Sequence, residues 1–148
     1  MRLALKNGWK WLLGSVLTLL GFSNVFIACR KEYGCPNADY KLVGDVKDSK
    51  GNPVEGIRVV FTPDDRYGID TTYTDARGHF ETGYMRVSFI TDRTKVLFDD
   101  VDGPAHGSFK SKELRRDAFT IEQTKKGDRH WYEGEFTIQA DAVLEEED

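Results

Sequence analysis

The hydrophobic positions of this chain recur in short bursts, and the dominant period is two. Residues 40–46 (Tyr-Lys-Leu-Val-Gly-Asp-Val) alternate in the way a half-buried strand requires. Residues 57–62 (Ile-Arg-Val-Val-Phe-Thr) form a second run, rich in the β-branched residues that suit a pleated surface. Further strands are predicted over 70–74, over 80–84 with 85–89 as its continuation, and over 95–98, 119–123 and 131–140. Turn chemistry separates them: Asp48-Ser49-Lys50-Gly51-Asn52-Pro53, the loop 63–68, Asp75-Ala76-Arg77-Gly78, and Lys125-Lys126-Gly127-Asp128. Only 111–116 reads as helical, and it is too short to stand alone. The expected fold is all-β, a single antiparallel β-sandwich of about seven strands behind a signal-peptide helix. Its candidate core is Leu42, Val46, Val59, Phe61, Tyr73, Phe80, Val96, Phe98, Ile121, Phe136 and Ile138.

The first residues obey a different pattern. Arg2, Lys6 and Lys10 precede an apolar stretch over 11–22, after which come Ser23, Asn24 and the segment Val25-Phe26-Ile27-Ala28-Cys29. A basic start, a short apolar run and a small residue before a cut site are the parts of a secretory signal. Lys10, Gly14, Ser15, Gly21, Ser23 and Asn24 dilute the run below the roughly 20 apolar residues of a spanning helix. The expected organisation is a cleaved leader over 1–28, a tether over 29–39, a sandwich over 40–142 and a solvated acidic tail over 143–148.

Charge narrows the partners. The chain holds 21 basic and 25 acidic side chains, a formal net charge of −4. Removing a leader that carries three cations and no acid leaves 18 against 25, or −7. An acidic chain without a Lys/Arg stripe is not built for nucleic-acid phosphates, and its net charge also disfavours electrostatic docking to anionic lipid.

The stretch Phe26-Ile27-Ala28-Cys29 resembles the bacterial lipobox, with Phe26 where the pattern usually has Leu, Val or Ile. The resemblance implies that Cys29 is the lipidation site, carrying a diacylglycerol and further acyl chains such as palmitate. Each buried methylene then contributes ~0.8 kcal/mol, enough together for stable anchoring. Arg30 stands next to the cysteine where Asp would favour inner-membrane retention. The expected location is the cell envelope, at the outer membrane. Cys35 is the second cysteine; it pairs with Cys29 in a disulfide or, if Cys29 is acylated, is left without a partner in its own chain.

Residues 43–59, with Gly44-Asp45-Val46, Gly51-Asn52-Pro53-Val54-Glu55-Gly56 and a Val-rich strand after them, resemble the carboxypeptidase-regulatory-like domain. The later Thr74-Asp75-Ala76-Arg77-Gly78-His79-Phe80 matches the same family's second motif. The resemblance covers 40–84 and implies a transthyretin-like sandwich. The mature chain also resembles lipoproteins of Gram-negative bacteria encoded beside radical SAM enzymes. Cys29, the segment 32–40 (Glu-Tyr-Gly-Cys-Pro-Asn-Ala-Asp-Tyr) and the segment 98–103 (Phe-Asp-Asp-Val-Asp-Gly) carry that likeness. It implies a radical SAM enzyme as partner and leaves the activity of the group open.

Candidate chemistry is sparse. Asp99, Asp100 and Asp102, followed by Gly103, offer hard oxygen ligands for calcium, although no Glu follows at the spacing of an EF-hand. His130-Trp131-Tyr132-Glu133 echoes a zinc-binding His-x-x-Glu pair, but on a strand an offset of three puts the two side chains on opposite faces. The expected function is therefore a non-catalytic envelope lipoprotein, a binding module for another envelope protein or glycan. The alternative is a peptide substrate of a radical SAM maturase, with Cys35 the residue modified.

Overall fold

The computed structural model describes Ser15 and residues 35–64, 68–128 and 130–147. Apart from Ser15, the expected leader 1–28 lies outside the described residues, as does Cys29. Among those described, no helix is long and apolar enough to cross a membrane.

Among its described residues the second unit of the chain, from Cys35 onward, holds ten strands: β1 (Asn37–Asp48), β2 (Ile57–Thr62), β3 (Asp70–Tyr73), β4 (His79–Glu81), β5 (Met85–Val87), β6 (Lys95–Asp100), β7 (Lys112–Arg115), β8 (Thr120–Lys126), β9 (Tyr132–Gln139) and β10 (Ala142–Leu144). They form two mostly antiparallel sheets, one of six strands and one of four in the order β3-β2-β6-β7. The all-β sandwich expected from the sequence is the observed fold.

β1 organises the larger sheet. Its alternation is almost unbroken along twelve residues, with Ala38, Tyr40, Leu42, Gly44 and Val46 buried and Asp39, Lys41, Val43 and Asp45 turned outward. Along one edge it pairs in parallel with β9 and then β10, in a constant register from Tyr40↔Phe136 to Asp48↔Leu144. β10 is thus β9 resumed after a break at Ala140-Asp141. Along the other edge β1 pairs antiparallel with β4 and β5. The two short strands are joined through Thr82, whose hydroxyl accepts the Leu42 N–H at 2.9 Å and donates to the Gly83 carbonyl at 3.0 Å.

The core lies between the sheets. Leu42, Val46, Phe80 and Ile138 from the larger sheet face Ile57, Val59, Phe61, Val96 and Phe98 from the smaller, all 0–1 % exposed. Phe80 and Phe98 meet edge to face, with ring centroids 5.6 Å apart. Gly44 is required by this packing, because a Cβ there would run into the Ala140 carbonyl oxygen and the Phe80 ring.

Several expectations need correction. Tyr73 is not core: β3 pairs it with Arg58 on the outer face, and it is 56 % exposed. Residues 112–115 are a strand, because β7 completes the edge of β6 through four residue pairs; a short 3-10 turn, Arg116–Ala118, follows. Asp99 and Asp100 belong to β6 and not to a loop, since the strand continues opposite Arg58 and Ile57. Residues 37–39 belong to β1 and not to a tether. The segment 142–147 is no free tail: β10 buries Ala142 and Leu144, Glu146 bridges to Phe109, and the Glu147 N–H reaches the Ser108 carbonyl.

Candidate functional site

The two motifs that carry the family resemblance are structural. Thr74 closes the junction of β3 with the 53–56 turn: its hydroxyl donates to the Val54 carbonyl at 2.7 Å and accepts the Ile57 N–H at 3.0 Å. Asp75 Oδ1 accepts the N–H groups of Arg77 and His79, each at 2.9 Å. Those bonds hold its carboxyl below the usual value of 3.8. Gly78 takes φ +73°, where a side chain is strained, and its carbonyl receives the Val46 N–H. Asp48 does the same work at the other turn, accepting the backbone N–H groups of Lys50 and Asn52 and the Asn52 side-chain amide. These polar groups are committed to turns.

The expected calcium ligands diverge. Asp99 pairs with Arg58 and accepts the Ser111 hydroxyl; the hydroxyl first and the guanidinium second hold its carboxyl low. Asp100 Oδ2 accepts the Phe109 N–H at 2.9 Å. Asp102 Oδ2 accepts the Nδ1–H of His106 at 2.6 Å, and Glu55 lies 3.9 Å from the other nitrogen of that ring. The Asp102 bond, with Glu55 and Asp100 adding to it, raises the His106 pKa above 6.5. A calcium ion here would have to draw Asp99 off Arg58 and Asp102 off His106. Among the described residues no group of three or more His, Cys, Asp or Glu side chains is gathered to hold a metal. His130 is exposed in the bend before β9, its N–H on Asp128, while Glu133 lies within β9.

Cys35 is exposed and free immediately ahead of β1. Around the first residues of that strand the structure gathers a constellation the sequence did not announce. Arg86 of β5 grips Asp39 with two nitrogens, at 2.8 and 3.0 Å. Tyr132 of β9 donates its hydroxyl to the same carboxylate at 2.9 Å, and the guanidinium stands 5.4 Å from the centre of its ring. Arg86 foremost, against the cost of desolvation, keeps Asp39 ionised below the usual carboxylate range. Beside it Lys41 bonds Glu81 at 2.9 Å and lies 5.6 Å from the Tyr84 ring. The outward charges Asp39 and Lys41 of β1 are therefore paired, with Tyr84 half exposed beside them. The pairing of β1 with β4, β5 and β9 brings these residues together, and the contact of Asp39 with Tyr132 spans 93 positions of sequence.

A comparison with family models finds no match to this chain, and a comparison with curated proteins finds none either.

Proposed function

We propose that the chain is a non-catalytic lipoprotein of the cell envelope, held at the outer membrane through acylated Cys29, with the β-sandwich as its interaction module. The observation that carries this reading is where the folded unit starts. Cys35 stands six positions after Cys29, and β1, which opens two residues later, is a strand with partners along both edges. A pull transmitted from an anchor would enter the larger sheet through an interior strand, which is hydrogen-bonded on both sides. The module's partner belongs to the same setting: a radical SAM enzyme, as the resemblance of 32–40 and 98–103 implies, or another envelope protein.

The test is metabolic labelling with an alkyne-tagged fatty acid, followed by membrane fractionation. The natural chain is expected to take the label and sediment with membranes; Cys29→Ala is expected to lose the label and to keep the mass of the leader 1–28. An unlabelled natural chain beginning at Met1 would rule the reading out.

One observation favours a second reading, in which the segment around Cys35 is modified by a radical SAM maturase. The thiol is exposed and sits on the short connection ahead of β1, within reach of an enzyme. Mass spectrometry of the peptide spanning 30–40 from the native host decides it: added mass on that peptide supports modification, and the unmodified mass dismisses it.

A further inference from the structure

The sandwich has two unlike ends. One gathers the turns after β1, β3, β6 and β10, and with them Glu55, Asp75, Asp100, Asp102, Glu145 and Glu147. At the other, β1 begins, β5 ends beside Ala38, and the β8–β9 connection returns so that the Trp131 carbonyl receives the Asn37 N–H at 2.7 Å. From β5 the segment 88–94 crosses to the smaller sheet. It is pinned there by buried Thr94, whose hydroxyl donates to the Pro63 carbonyl at 2.6 Å. Three large apolar side chains stand open to solvent at this end: Phe89, 50 % exposed, Trp131, 43 %, and Ile69, 63 %. At the β6–β7 edge of the smaller sheet Arg93, Lys95 and Arg115, with Asp92, line a cavity of about 200 Å³. Glu113 engages Lys95 and Arg115, whereas Arg93 forms no ion pair among the described residues. The acidic residues named above lie at the far end, while this end carries Asp70, Asp92 and Asp128 among its cations.

We infer that this end is a bilayer-docking surface: Phe89, Trp131 and Ile69 enter the headgroup region of a phospholipid membrane, and Arg93 at its cavity receives a lipid phosphate. The inference rests on the reading of Cys29 as the anchor. From Cys29 to Asn37 there are eight residue steps, a reach of at most about 28 Å. β1 alone, twelve residues long, spans about 40 Å. A domain so tethered meets the bilayer with the end where β1 starts. Aromatic side chains there find the interface they prefer, with apolar body inward and polar edge at the headgroups. Turning the acidic end to solvent separates it from anionic lipid by several Debye lengths. The net charge of the whole chain averages the two ends and conceals this arrangement.

Trp131 makes the test direct, since it is the only tryptophan after residue 28. The acylated protein, purified from its own membranes, is reconstituted into vesicles of phosphatidylglycerol and phosphatidylethanolamine. Its emission is expected to shift to shorter wavelength relative to the unacylated chain of residues 29–148 in solution. It is also expected to be quenched by lipids brominated near the headgroup and shielded from aqueous iodide. Arg93→Gln is expected to lower the ratio of docked to undocked protein about fivefold, the effect of one cation at an anionic surface. If Arg93→Gln leaves that ratio unchanged, the phosphate contact is wrong. An acylated chain that floats with the vesicles while Trp131 stays open to iodide would overturn docking and leave the anchor intact. A chain without acyl mass that fails to float removes both.

Discussion

At the residue scale, the motif residues and the site residues differ in how far each reaches for its partner. Thr74, Asp75 and Gly78 do their work within a few positions, so their spacing in the sequence already spells the turn. Asp102 and His106 are almost as close, yet nothing in the pattern announces their bond, because a loop has no period to place one side chain over the other. The bond has a measurable consequence. The pKa of His106 is raised, first by the hydrogen bond to Asp102 and then by the charges of Asp102, Glu55 and Asp100. The protonated ring is favoured more in the folded than in the unfolded chain. Its stabilisation is complete below the ordinary value of 6.5 and disappears as the pH rises through the elevated folded value. Nuclear magnetic resonance titration of the His106 ring is expected to give a midpoint above 6.5, and Asp102→Asn to bring it down. An equal midpoint in both chains would mean that the pair does not form in solution.

At the scale of elements, alternation located most strands but could not say which ones find a partner. β1, β2 and β6 carry enough buried apolar residues to be legible alone. β7 does not; Lys112 to Arg115 become a strand only because β6 offers an open edge, and their local composition suited a helix equally well. Tyr73 misled for a related reason: in a four-residue strand the phase of the alternation is set by the partner's register, here Arg58 opposite Tyr73. The segment after Gln139 is the sharpest case. Its acidic residues 145–148 suggest a solvated end, yet Ala142 and Leu144 complete the pairing along β1, and Leu144 is 1 % exposed. Leu144→Ala is expected to lower unfolding free energy by about 2–5 kcal/mol, as for other fully buried leucines. Urea denaturation measures it, and a loss within about 0.5 kcal/mol, typical of surface positions, would restore the picture of a free tail.

At the scale of the molecule, the two sheets are connected by one core. The sequence made that core legible in advance, since Leu42, Val46, Val59, Phe61, Phe80, Val96, Phe98 and Ile138 are buried as their patterning required. The polarity of the whole was not legible. It depends on which loops share an end, and so on a topology in which β1 pairs with strands from both halves of the chain. Phe98 joins the two sheets directly. It comes from the centre of β6 and meets Phe80, which β4 holds against β1. Phe98→Ala removes that contact and leaves a cavity facing both sheets, at an expected cost of about 3–5 kcal/mol. If the core is truly shared, the loss is global. Trp131 emission, which reports on the start of the larger sheet, and far-ultraviolet circular dichroism, which reports on both sheets, should then shift to lower denaturant together and remain coincident. Two separated transitions in the variant, with Trp131 retaining the midpoint of the natural chain, would show instead that the six-stranded sheet is stable by itself and that the smaller sheet is an adornment upon it.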